Sequence, residues 1–371
     1  MKTYTCVCGQ LMFFQSVTCV NCRRELGFLP GLLWLSSLDP ADNGLWRPTA
    51  PQAGGQLYKK CQNYSEANVC NWMIPQRQPD EAFCLSCRLN EIIPDLTNEA
   101  NRALWASTES AKRRLVYSLI RLKLPIASKK DDPEQGLAFR FLSDVTNPDG
   151  STEKVLTGHD SGVITLNIAE ADDSAREKMR HSMNEPYRTL LGHFRHEIGH
   201  YYWDRLVRGT KFWQPYRALF GDEQADYAQA LQQYYKSGAP ANWQENHISA
   251  YATAHPWEDW AESWANFLHI QDTLEVANDF GLVGKRILLD PQEKKARPWL
   301  SSKQKSFDEV IAAWSELAVA LNSINRSMGL PDLYPFVLSP AVVAKLRFIN
   351  EVIASGAAPA QKVTVRTELA S

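Results

Sequence analysis

The chain has 371 residues, 44% of them hydrophobic and 22% charged, with a net charge of −2 and a pI near 6.5. These values describe an ordinary globular protein long enough for two or three domains, and they give no global electrostatic reason to bind nucleic acid or an anionic membrane. No run of about 18 apolar residues occurs, which excludes a transmembrane helix, and the N-terminus from Met1 to Cys6 lacks a secretory apolar region.

Residues 1–95 are poor in periodic structure and rich in Cys, Pro, Gly and Asn, as expected of a metal-stapled module. All eight cysteines lie between Cys6 and Cys87. Cys19-Val-Asn-Cys22 and Cys84-Leu-Ser-Cys87 are CxxC pairs, Cys6-Val-Cys8 is a shortened pair, and Cys61 and Cys70 are spaced more widely. Taken in order they form two four-thiolate sets: Cys6, Cys8, Cys19, Cys22, and Cys61, Cys70, Cys84, Cys87. With no signal peptide, a reducing cytoplasm and structural zinc are expected rather than disulfides. No CxxC sits in a βαβ pattern, so a redox role is not expected. The Pro/Gly-rich stretch from Trp46 to Gly55 reads as a linker between two halves of this module.

The character changes near Pro94. Thr97 or Asn98 is placed to cap a helix through Leu104, Leu115, Leu119 and Leu122 that stops before Pro125. Lys112-Arg113-Arg114, with Arg121, Lys123, Lys129 and Lys130, reads as a solvated helix face, and the alternative is a nucleic-acid contact. Strand patterns follow over 137–142, 154–159 and 163–168, the last two flanking the turn Asp160-Ser161-Gly162. The stretch from Gly162 to Ile168 is either a sheet edge open to an extended peptide or a plain core strand. Glu185-Pro186 opens a long helix to about Val207. Gly221-Asp222-Glu223 precedes a helix through Ala230 and Tyr235 that ends at Gly238, and Pro256 opens another to about Ile270. Further helices are expected from about Lys303 to Ile324 and from Pro340 to Ile353, ahead of a loose Ala/Gly/Thr tail.

The chemistry concentrates in His196-Glu197-Ile198-Gly199-His200. Two histidines four apart lie one turn from each other on a helix and can place two imidazole nitrogens on one zinc. Glu197 then points beside the metal, where a carboxylate can take a proton from zinc-bound water. Leu190, Leu191, Phe194, Ile198 and Tyr201 form an apolar stripe, with His193, His196 and His200 on the other side. His193 is expected to pack or to support a ligand from behind.

A third ligand is needed. Trp203 and Leu206 stand where a metzincin requires Gly and His, which removes that class. The alternative is a carboxylate from the acidic-aromatic segment of residues 251–269, where Glu258 and Glu262 share a helix face. One would ligate while the other accepts a hydrogen bond from a ligand histidine. Asp222, Glu223 and Asp226 are the runner-up carboxylates, otherwise a solvated helix start.

These motifs, GHFRHEIGHYYWDRLV, GDEQADYAQAL and SAYATAHPWEDWAE behind a cysteine-rich start, resemble a bacterial family of zinc-binding metallopeptidases with an N-terminal zinc ribbon. At the site alone the chain also resembles gluzincins such as the catalytic domain of anthrax lethal factor. That resemblance implies that Glu258 is the ligand, that Glu262 supports a histidine, and that Tyr251 is similar to a tyrosine that reaches over the metal. Tyr251 or His255 would donate a hydrogen bond to the oxyanion.

The expectation is an α+β chain: a zinc-ribbon module over 1–95, a zincin-like catalytic domain over 96–330 that is mostly helical with a small mixed sheet, and a C-terminal helix and tail over 331–371. It would be a cytoplasmic peptidase with one catalytic and two structural Zn2+, acting on a peptide or protein. The ribbon is a candidate protein-docking module, and neither membrane nor nucleic acid is expected as a partner. The alternatives are a zinc-ribbon binding module for protein or nucleic acid, with an attached domain that is inactive or hydrolyses a non-peptide amide.

Overall fold

The cysteine-rich part is built on a five-stranded antiparallel sheet in chain order: β3 (Leu26–Leu29), β4 (Trp34–Pro40), β5 (Trp46–Pro48), β6 (Tyr58–Lys60) and β7 (Met73–Pro75). A two-residue hairpin, β1 (Tyr4–Thr5) with β2 (Leu11–Met12), precedes it. The computed structural model describes residues 2–147, 149–174, 176–177, 189–282 and 306–356. The stretch from Trp46 to Gly55 is not a linker. Trp46, Arg47 and Pro48 pair with β4, and the amides of Thr49 and Ala50 bond to Ser37 and Ser36. The proline and glycines instead turn the chain through a 3-10 turn at Pro51–Ala53.

The core of this part is aromatic and is shared with the next helix. Phe14 meets Phe28 at 5.0 Å, Phe28 meets Trp72 at 4.9 Å, and Phe14 meets Tyr117 of helix α2 at 5.4 Å. The short helix α1 (Gln62–Ser65) lies within the cysteine-rich part, and α2 spans Glu99–Arg121, with Asn98 accepting from the amide of Ala100 as its cap. Two of the residues read as a solvated basic face turn inward. Lys112 is fully buried and bonds to Glu109 at 2.9 Å and to Asn90, while buried Arg113 donates to the carbonyl of Val69. A buried cation needs a partner, and Glu109 and Asn90 supply it.

Strand β8 (Asn90–Ile92) leaves the cysteine-rich part and joins a second sheet, of order β12-β13-β9-β8. In it β8 and β9 (Ala138–Leu142) are parallel, β9 and β13 (Val163–Asn167) are parallel, and β12 (Gly158–Asp160) is antiparallel to β13. The small hairpin β10 (Val145–Thr146) with β11 (Thr152–Glu153) lies between them in sequence. The stretch from Gly162 to Ile168 is therefore interior to the sheet, and the edge on that side is β12.

Helix α3 (Leu190–Leu206) is capped by Thr189, whose side chain accepts from the amide of Gly192 at 2.9 Å. Glu185 and Pro186 lie outside the described residues. Phe194 packs on the sheet, 5.6 Å from Phe139. The helix is not two-faced: Arg195, Glu197, Gly199, His200 and Trp203 are buried along with Phe194 and Ile198. The sheet, α2 and a long second helix enclose it on different sides. α4 (Trp213–Phe220) and α5 (Tyr227–Ser237) follow, and then α6 (Pro256–Asp279), which runs more than two turns past Ile270. α7 (Phe307–Ser327) opens on a capping box of Ser306 and Glu309. α8 (Pro340–Gly356) packs on α6 through Phe348 against Trp260 at 6.1 Å, and through buried Lys345 on Asp259. The tail lies outside the described residues. Trp72, Trp105, Trp203, Trp260, Trp264 and Trp314 are fully buried, so the tryptophans serve mainly the core. No helix among the described residues is long and apolar enough to cross a membrane.

A buried ion cluster locks α2, α3 and α6 together. Asp272 of α6 accepts from Ser118 at 2.8 Å, Arg121 at 3.0 Å and Arg195 at 2.7 Å. Burial pushes its carboxyl up, but the Arg195 and Arg121 charges outweigh that and hold it below the ordinary range. A depressed folded value means that this stabilisation is whole above about pH 4 and is lost as pH falls through the folded value. Asp272→Ala leaves the nearly buried Arg195 without its counter-charge and is expected to cost about 3–5 kcal/mol, read as a lower urea midpoint at pH 7.

Candidate metal centre

Helices α3 and α6 cross where Gly199 faces Ala261. A Cβ at Gly199 would lie 3.1 Å from the Cα of Ala261 and 3.1 Å from the Cβ of Trp264, so only glycine allows this approach without displacement. Trp260 fixes the crossing by donating its indole N–H to the Gly199 carbonyl at 2.8 Å. The glycine of HEIGH thus sets the distance between the histidine helix and the glutamate helix.

At that distance three side chains converge. His196 Nε2 and His200 Nε2 lie 3.2 Å apart. Glu258 Oε2 is 3.0 Å from His196 Nε2, and Oε1 is 3.5 Å from His200 Nε2. The candidate donor atoms of the three all lie within 4.8 Å of one another. Two nitrogens on a tetrahedral zinc, each at about 2.0–2.1 Å, stand about 3.3 Å apart, which matches the imidazole spacing. Among the described residues, Glu258 Oε2 is buried and takes no hydrogen bond, so one strong acceptor in the pocket is reserved. The donor set fits zinc.

The surroundings orient these groups. Glu262 Oε1 accepts from His196 Nδ1 at 2.7 Å, and Ser249 donates to Glu262 Oε2 at 2.6 Å. With its proton on Nδ1, His196 presents the Nε2 lone pair inward. Trp257 lies 4.0 Å from the His200 ring. Burial opposes charging of His196, but Glu258 and Glu262 outweigh it and hold the imidazole well above the ordinary range. Burial likewise pushes Glu258 up, and the two histidines pull it well below. Such a pocket favours a positive centre, proton or metal ion, between the imidazoles and the carboxylate.

Glu197 is largely buried, and no hydrogen bond or ion pair holds its carboxylate among the described residues. Tyr251, in a 3-10 turn at Tyr251–Thr253, sits with its ring 6.0 Å from that of His196. Burial, with the charge of Glu258, raises its hydroxyl far above the usual range, so it is a donor at neutral pH. His255 does not serve as a free donor. Its Nδ1 accepts from the amide of Trp257 at 3.1 Å as the cap of α6, and its Nε2 faces the carbonyl of Ala225 at 3.1 Å, so both ring nitrogens are taken. His193 pairs with Glu170 and is not among the converging residues. The runner-up carboxylates are also spent: Asp226 caps α5, and Asp222 and Glu223 hold Arg217.

The sequence reading missed four residues at the site. Tyr227 donates to Glu258 Oε1 at 2.7 Å. Ser249 holds Glu262, and Trp257 covers His200. His159 of β12 lies with its ring 6.3 Å from that of His200, and burial pushes its pKa down to about 3. Only Tyr227 carried a signal, its place directly after a helix-capping aspartate.

Each cysteine set closes into one cluster. Cys6 and Cys22 sulfurs lie 3.6 Å apart, Cys8 and Cys19 3.6 Å, and Cys70 and Cys84 3.8 Å. Thiolates on a tetrahedral zinc at about 2.3 Å stand about 3.8 Å apart, whereas a disulfide needs about 2.05 Å. The amides of Cys84, Trp72 and Cys87 point at the sulfurs of Cys61, Cys70 and Cys84. The shortened Cys6-Val-Cys8 pair is accommodated by a turn at Gly9, whose φ of 87° a side chain would resist.

Comparison with known proteins agrees with this geometry. Residues 101–352 match the family described as "Putative zinc-binding metallo-peptidase", and residues 3–98 match a zinc-ribbon domain. Uncharacterized proteins of Mycobacterium bovis and of two Mycobacterium tuberculosis strains are 44% identical over 355 residues, covering 95% of this chain and 95% of theirs. No solved structure matches. With its peptidase match spanning most of the chain and a zinc ribbon ahead of it, the protein belongs to this family of zinc-binding metallo-peptidases.

Proposed function

We propose that the chain hydrolyses peptide bonds by a gluzincin-type mechanism, with His196, His200 and Glu258 holding the catalytic zinc and Glu197 as general base. The observation that carries this reading is the convergence of two imidazole nitrogens and one buried carboxylate, with a second carboxylate, Glu197, next to His196 on α3 and bonded by no described residue. A zinc ion held by His196, His200 and Glu258 would supply Lewis acidity to the scissile carbonyl and to the attacking water. Glu197 takes the proton of the attacking water and passes it to the leaving amine. Tyr251 donates its hydroxyl to the developing oxyanion. Glu262 and Ser249 hold the His196 tautomer throughout. Edge strand β12, with His159 beside His200, is suited to pair with an extended peptide and lead it past the site. The two cysteine clusters would hold structural zinc in the ribbon.

The test is N-terminal profiling of a denatured proteome treated with the zinc-loaded protein. New termini should appear, vanish when the metal is chelated and return when zinc is restored. Protein with all three clusters loaded that makes no new termini overturns the peptidase reading.

A further inference from the structure

No residue of helix α5 (Tyr227–Ser237) is buried. Only Ala230, Leu231 and Tyr234 are half-buried, and an 11-residue helix with so small a covered face has little stability of its own, so its attachments matter. They lead to the metal centre. The Tyr227 hydroxyl donates to Glu258 Oε1 at 2.7 Å, and its ring lies 5.2 Å from that of His255 and 6.0 Å from that of Trp257. About two turns further on, the ring of Tyr234 packs 5.6 Å from that of Tyr251. The helix is therefore fastened to a candidate ligand and to the candidate oxyanion donor.

We propose that Tyr227 is a positioning residue that commits Glu258 to one-oxygen coordination and, through that bond, couples the ordering of α5 to metal binding. The two carboxylate oxygens are treated unequally. Oε1 takes the phenol and stands 3.5 Å from His200 Nε2, while Oε2 takes no hydrogen bond from the described residues and stands 3.0 Å from His196 Nε2. Sharing Oε1 with the phenol weakens that oxygen as a ligand and leaves Oε2 the stronger donor, which disfavours a chelating carboxylate that would occupy the position water needs. The same bond ties α5 down. By linkage, whatever Tyr227 adds to metal affinity the metal returns as order in α5, which carries two tyrosines at the cleft. This proposal rests on the reading that His196, His200 and Glu258 hold the metal.

The experiment measures Zn2+ affinity by chelator competition in the full chain, for wild type, Tyr227→Phe and the double variant His196→Ala/His200→Ala. It adds hydrogen exchange of residues 227–237 with and without zinc at that site. The double variant should lack one zinc relative to wild type, which identifies the site. Tyr227→Phe should weaken that zinc about tenfold and leave the thiolate-bound zinc unchanged, which also reports an intact fold. In wild type, zinc at the histidine site should slow exchange in α5, and in Tyr227→Phe that zinc-dependent slowing should disappear. A purely structural tyrosine would change exchange equally with and without zinc. Equal zinc affinity in Tyr227→Phe and wild type, or zinc-dependent slowing that survives the substitution, overturns the coupling while leaving the metal site standing. Equal zinc content in the double variant and wild type overturns the metal site itself.

Discussion

Glu197→Gln should retain wild-type zinc content and lose hydrolysis by about 10²–10⁴-fold. The substitution keeps the shape of the side chain and removes its capacity to accept and return a proton. Glu197 sits on α3 between His196, whose ring faces the candidate ligand set, and Ile198, which is fully buried, so the backbone cannot shift to compensate. Its carboxylate is held by no other described residue, so an amide there breaks no bond on which the fold depends. Folding, zinc stoichiometry and urea midpoint should therefore match wild type while kcat falls. Turnover within a few fold of wild type would remove Glu197 as the base and return the role to another group near the metal.

How much of this was legible depended on how locally each feature is determined. The histidine pair and Glu197 follow from helical spacing alone; the same spacing on one later helix gives the pair Glu258 and Glu262, while the choice between them came only from the family resemblance. The cysteine sets follow from order and short spacing. Helix starts were legible where the signal is adjacent to the helix, as with Asn98 as a cap and Pro256 in the first turn. What could not be read depends on partners distant in sequence. Lys112 and Arg113 look like a solvated face until Asn90 and Val69 arrive from the cysteine-rich part. The interior place of β13 is set by its parallel pairing with β9, more than 20 residues earlier. His255 looked like a spare donor because its two bonds go to the Trp257 amide and to Ala225, a contact across 30 positions. Gly199 was in plain view within HEIGH, but its function as the crossing point needs Ala261 and Trp264 opposite it.

Glu258→Ala should empty the histidine site and leave the two thiolate clusters loaded, so the protein loses one zinc and all hydrolysis together. The side chain is 1% exposed and supplies the only carboxylate in the convergent set. Without it the ion keeps two neutral imidazoles, and the negative charge that offsets its dehydration is gone. Glu262 cannot take over, because its oxygens are committed to His196 Nδ1 and Ser249 on the far side of the ring. The variant also strips the Tyr227 hydroxyl of its acceptor, so α5 should exchange faster even in chelated protein. Retention of the full zinc complement in Glu258→Ala would move the third ligand elsewhere. A zinc loss that spreads to the thiolate sites would instead mean that α6 had failed to fold, which the urea midpoint distinguishes. The contrast between Glu197→Gln, inactive with its zinc, and Glu258→Ala, inactive without it, separates proton transfer from metal retention across one helix crossing.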